Sequence, residues 1–225
     1  MKKQIITSLC ISALLISNTV FAAEISKTIK GFGFNITTPS TSTAQQAAKS
    51  TVNKAAMKAQ IAAINSKVNS VSSTYQSTLN NLANNLLPAE QLKKYNEEKA
   101  KIQSSTGTKA NINIEIAEDG SVVLNKYLKS SNSKETFKSL TTAQKAAVKK
   151  DLNSLKNISS SYSQIAEQSK TLAKQVKSDP VTALELKSDL KDMVKTQVKV
   201  AKQIKSITKL STNITTSAAK AGVSF

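Results

Sequence analysis

Three pairs of neighbouring carboxylates, Glu97/Glu98, Glu118/Asp119 and Asp189/Asp192, come closest in this chain to a spacing that could do acid–base chemistry. Two carboxylates share that work only if both point at one substrate and their environments drive their pKa values apart. Adjacent residues on a helix diverge by about 100°, so Glu97 and Glu98 face different ways. Glu118 and Asp119 fall in an expected turn, and Asp189 and Asp192 lie in a lysine-rich stretch; all three pairs read as solvated surface. Histidine, the usual general base near neutrality, is absent, and the one cysteine, Cys10, sits in an apolar leader. The many serines therefore have no imidazole partner, and no Gly-framed SxxK recommends a Ser–Lys arrangement. Metal ligation would have to use oxygen alone, and no calcium-loop spacing occurs. The expectation is a protein with no catalytic residue, no metal ligand and no cofactor.

What remains is charge. The chain carries 32 basic residues, every one a lysine, against 14 acids, for a formal charge of +18. Such a surface attracts anionic partners. Arginine and tryptophan are absent. Bidentate reading of guanine edges uses the guanidinium fork, and gripping single strands uses exposed aromatics, so specific nucleic-acid recognition is disfavoured. Placed on a helical wheel, Lys187, Lys191, Lys195, Lys199, Lys202, Lys205 and Lys209 fall within an arc of about 120°. Beside them lie Leu186, Leu190, Met193, Val194, Val200, Ala201, Ile204 and Ile207. That pattern fits a helix that shows ammonium groups to water and apolar groups to a core. It also fits one lying on an anionic membrane, but such helices carry Trp or Phe at their border and this one has neither. No acid occurs from Met193 to Phe225 or from Ile25 to Ala89. The seven lysines are the candidate contacts to an anionic envelope component, lipid or glycan.

The elements that position these residues are punctuated by Gly and Pro. Lys2 and Lys3, an apolar run over Ile5–Ile16, and Val20-Phe21-Ala22 have the form of a signal peptide over residues 1–22. An irregular arm at 23–42 is expected to follow it. No later segment reaches the roughly 18 to 20 apolar residues that a span needs. The processed chain is expected to be exported to the periplasm or beyond, without a transmembrane span. From Thr43 to Leu87, Met57, Ile61, Ile64, Val68, Val71, Tyr75, Leu79, Leu82 and Leu86 recur at helical spacing. Pro88 ends that helix and opens a shorter one to about Gln103. Ile112, Ile114 and Ile116 then alternate with polar residues before "EDG" and "VVL", which predicts a β-hairpin at about 110–126. A three-residue turn with Gly120 left-handed would pair Ile116 with Val122 and Ile114 with Leu124.

"TTAQ" at Thr141–Gln144 has capping-box spacing, and Val148, Leu152, Leu155, Tyr162, Ile165 and Leu172 carry a helix on to about Lys177. "SDP" breaks it, and Pro180 is expected to open the last helix, to about Leu210, with a frayed tail at 211–225. The resulting expectation is an all-α fold. It comprises an elongated antiparallel bundle of three long helices and one short one over 43–210, with the small hairpin inserted.

Val68–Ala89 holds no charge in its 22 residues, so a face carrying Val68, Val71, Tyr75, Leu79 and Leu82 is the candidate contact for a protein partner. "LTTAQ" at Leu140–Gln144, followed by "KAAVKKDL", resembles the LTxxQ element of the small helical envelope chaperones typified by Spy and CpxP. "LPAEQ" at Leu87–Gln91 is a second, imperfect copy with Pro where Thr belongs. The resemblance implies a cradle-shaped periplasmic holdase for unfolded chains, although this chain is longer and has no Met- and Arg-rich cradle. The leading expectation is a non-enzymatic exported protein acting by surface contact. A holdase chaperone and a subunit of a secreted assembly are the alternatives.

Overall fold

A computed structural model describes residues 44–106, 112–130, 133–178, 182 and 185–225. The expected signal peptide and N-terminal arm, and the "DP" of the last break, lie outside the described residues. Among the described residues the chain is all-helical, with six helices: α1 Ala44–Leu86, α2 Ala89–Thr106, α3 Ile112–Leu128, α4 Ser133–Ser139, α5 Thr142–Ser178 and α6 Lys187–Lys220.

α1 runs for 43 residues without a glycine or proline to interrupt it. Its expected stripe is the core face: Met57, Ile61, Ile64, Val68, Tyr75, Leu79, Leu82 and Leu86 are buried and Val71 half-buried. Pro88 has no N–H to continue the ladder. Leu87 closes α1 by donating to the Ala83 carbonyl (2.9 Å), and the Pro88 carbonyl accepts from Leu92 (2.9 Å) to start α2. α5 opens with the capping box expected at Thr141. The Gln144 N–H donates to Thr141 Oγ1 (3.2 Å) and the Thr141 N–H donates back to Gln144 Oε1 (2.9 Å). α1 and α5 pack together and are tied by Lys67 Nζ donating to Gln168 Oε1 (3.1 Å) and by a Ser72–Tyr162 hydroxyl bond (2.8 Å).

The hairpin expected at about 110–126 is not formed among the described residues: 112–126 lie in α3, residues 110 and 111 lie outside the described residues, and no strand occurs among those described. The alternation of Ile112, Ile114 and Ile116 is a local signal of period two. From Gly120 onward the burial follows helical spacing instead, with Gly120, Ser121, Leu124, Tyr127 and Leu128 on one side. Tertiary contact outweighs strand propensity here. Gly120 is a close-approach residue, not a turn. A Cβ there would stand 3.0 Å from Tyr95 Cε2 and 3.1 Å from its hydroxyl oxygen. On its other flank α3 meets α6 through a polar seam. Ser121 bonds Ser206, Asn213 Nδ2 donates to Asn125 Oδ1 (2.7 Å), and Ser217 Oγ donates to the Leu128 carbonyl (3.2 Å).

The expected frayed tail is also corrected. α6 continues past Leu210 to Lys220, because Leu210, Ile214 and Ala218 extend its buried face. It then closes on a Schellman motif. Gly222 takes φ 74°, Val223 N–H donates to the Ala218 carbonyl (2.9 Å) and Gly222 N–H to that of Ala219 (3.0 Å). Val223 and Phe225 fold back on the core, the Phe225 ring 6.2 Å from that of Phe137 in α4.

Candidate functional site

α6 divides cleanly into two sides. Leu190, Met193, Val200, Ile204, Ile207, Leu210 and Ile214 are buried, whereas Lys187, Lys191, Lys195, Lys202, Lys205 and Lys209 are exposed and Lys199 is half-buried. The side chains that the sequence places on one arc are therefore brought together along one solvent face. Lysine stems lie along the helix and carry their ammonium groups into water, which is why the arc tolerates so much charge beside a core face. The helix's own carboxylates stand at its N-terminal end, Asp189 half-buried and Asp192 exposed, with Asp192 3.0 Å from Lys195 Nζ. Acids near a helix N-terminus complement its dipole. Among the described residues no carboxylate pairs with Lys191, Lys202, Lys205 or Lys209. Val198, 37% exposed, lies within the lysine arc and is the large apolar side chain that α6 shows to solvent.

The candidate protein-contact face of α1 is placed differently. Val68, Tyr75, Leu79 and Leu82 are fully buried and Val71 half-buried, so they form the intramolecular core and are not a free surface. An apolar stripe on a long helix looks the same whether its partner is another subunit or another helix of the same chain. The solvent side of this stretch includes Ser70, Ser73, Thr74, Ser77, Asn81 and Asn84. Ser73, Thr74 and Ser77 each turn their hydroxyl onto the carbonyl four residues earlier, at 3.0 to 3.1 Å.

Glu97 and Glu98 both face solvent on α2, and the Glu118 and Asp119 side chains lie outside the described residues. Among the described residues no three metal-ligating side chains cluster. No helix among them is long and apolar enough to cross a membrane.

Sequence reasoning missed a set of polar groups that the packing buries. Asp151 is only 5% exposed, and burial raises its carboxyl above the ordinary carboxylate range, against the hydrogen bond from Asn81 and the charge of Lys150. Its position one turn from Val148 and from Leu155 was the available signal. Gln197, one turn from Met193, is 3% exposed, and among the described residues neither end of its amide has a hydrogen-bond partner. Tyr95 and Tyr162 are buried too. Desolvation first, then the neighbouring Tyr75, raises the Tyr95 phenol; desolvation raises Tyr162 while its Ser72 bond opposes the rise. Both phenols keep their protons at neutral pH and offer no base.

No family model, curated protein sequence or solved structure matches this chain. The pentapeptide that resembles the LTxxQ element, Leu140–Gln144, has a local role here: Leu140 is buried and Thr141 and Gln144 cap α5. Among the described residues, the lysine face of α6 is an ordered array of like charges turned to solvent.

Proposed function

We propose that this chain is a non-enzymatic, exported protein that works by surface contact, with the lysine face of α6 turned toward an anionic component of the cell envelope. The observation that carries the reading is the alignment of exposed lysines along one helix whose apolar side is already occupied by the core. The formal charge supports it, +18 for the full chain and +16 once the leader with Lys2 and Lys3 is removed, as does the absence of any acid between Met193 and Phe225. The export part of the proposal rests on the leader at residues 1–22.

The proposed scaffold is an elongated antiparallel bundle. The tie points between α1 and α5 support it: Lys67 meets Gln168, Ser72 meets Tyr162, and Asn81 meets Asp151, so positions rise along one helix as they fall along the other. A 43-residue helix is about 65 Å long at 1.5 Å per residue, long enough to present an extended face. In such a scaffold the lysines of α6 are spaced along one helix at axial steps of about 4.5 to 6 Å.

The test is retention of the purified mature chain on anionic vesicles, neutral vesicles and an immobilised acidic polymer, at low and high salt. The reading expects retention on at least one anionic support that disappears as salt screens the charges. Negligible or salt-independent retention on all three supports refutes it.

A further inference from the structure

The proposed contact face can be taken one step further, to the shape of what it binds; the step rests on the reading just given. A bilayer can hold an amphipathic helix in two ways: by taking in its apolar face, or by attracting its charges to the headgroup plane. The first is closed to α6, because Met193, Val200, Ile204, Ile207, Leu210 and Ile214 are already buried in the core. The second suits charges that lie in one plane. The lysines of α6 instead wrap around an arc of about 120° on a single helix. They form a rail about 33 Å long from Lys187 to Lys209, with axial steps of about 4.5 to 6 Å between successive ammonium groups. A flat surface meets the crest of such a rail, whereas a flexible chain can follow it from end to end.

The chemistry of the rail narrows the partner. Lysine is a compact point charge that matches anionic density without demanding the planar geometry an arginine fork selects. No aromatic side chain lies along the face for a base to stack on; its exposed apolar side chain is Val198. The helix's own carboxylates, Asp189 and Asp192, sit at one end, and Lys202, Lys205 and Lys209, which have no ion pair among the described residues, lie beyond them. Beyond Asp192, α6 itself carries lysines and no acid. We infer that the lysine rail of α6 binds an extended, linear phosphate polymer lying along the helix, held by charge and without sequence readout.

The experiment titrates full-length mature protein with fluorescently labelled linear polyphosphate across a salt series, beside anionic and neutral vesicles. If five lysines each displace a counterion, the log–log salt slope is about −3.5, as for single-stranded phosphate chains, and binding weakens about a hundredfold between 50 and 200 mM salt. Replacing exposed Lys202, Lys205 and Lys209 together by Gln should flatten that slope by about 2. The same reduction in net charge on α2, by Lys93→Gln, Lys94→Gln and Lys101→Gln, should change polyphosphate affinity less than about threefold. Far-UV ellipticity confirms that both triple variants stay helical. Equal loss in the two variants overturns the rail and leaves only net charge. Binding to anionic vesicles without binding to polyphosphate overturns the polymer and leaves the anionic-contact reading standing. Binding to neither removes both.

Discussion

Replacing Gly120 by alanine should destabilise the protein, although glycine within a helix is ordinarily the worse residue by about 1 kcal/mol. The reason is steric. The new methyl would stand 3.0 Å from Tyr95 Cε2, 3.1 Å from its hydroxyl oxygen and 3.4 Å from Cζ, where carbon atoms prefer about 3.5 to 4.0 Å. The ring has little room to retreat: Tyr95 is 3% exposed, and its hydroxyl donates to Asn80 Oδ1 at 2.9 Å. Overpacking of this kind costs about 1 to 3 kcal/mol, and stretching the hydroxyl bond adds about 1. Set against the helix-propensity gain, the net loss is about 1 to 3 kcal/mol. In a Tyr95→Leu background, which deletes Cε2, Cζ and the hydroxyl, the same alanine should stabilise by about 1 kcal/mol. Urea unfolding of the four chains, followed by far-UV ellipticity, closes the double-mutant cycle, with an expected coupling of about 2 to 4 kcal/mol. The cycle also separates helix from hairpin. A glycine in a left-handed turn resists alanine whatever occupies position 95, so equal destabilisation in both backgrounds would refute the helical placement of Gly120. Stabilisation in the wild-type background would refute the tight approach of Tyr95.

Asp151 predicts a pH dependence. Because burial raises its carboxyl pKa in the fold, the folded state holds that proton more tightly than the unfolded chain, so Asp151 weakens the fold as pH rises through the raised value. Asp151→Asn should therefore raise the thermal midpoint at neutral pH and leave it nearly unchanged below the ordinary carboxylate range; an equal shift at both contradicts the assignment. Gln197→Leu removes a buried amide that has no partner among the described residues, and should add about 1 to 2 kcal/mol in urea unfolding. A loss there would mean that the amide is satisfied in solution. Thr141→Ala deletes the hydroxyl that caps α5 and should cost about 1 kcal/mol, lowering the thermal midpoint by about 2 to 4 °C. An unchanged midpoint would deny the cap a stabilising role.

The long helices were legible wherever one local signal ran without contradiction. The stripe from Met57 to Leu86, the break at Pro88, the Thr141 cap and the lysine arc of α6 all follow from side-chain spacing and capping chemistry within a few turns. Each depends on neighbours in the chain. The lysine face could be seen for the same reason, since a helix's solvent arc is set by its own periodicity.

Three features depend on residues far apart in sequence, and spacing could not reveal them. Residues 112–128 carry a strand-like alternation and a turn-forming "EDG", yet they are helical. Gly120 lets Tyr95 close in, and Ser121 and Asn125 find Ser206 and Asn213 on α6. The tail beyond Leu210 is short of large apolar residues, and it is ordered by Ile214 and Ala218 against the core and by Phe225 against Phe137. The apolar stripe at Val68–Leu82 is identical on paper whether it faces another molecule or the same one; packing against α5 decided that it faces inward. Local periodicity says which side of a helix is apolar, but which surface covers that side is settled by the partner's position in space, and so by the tertiary structure alone.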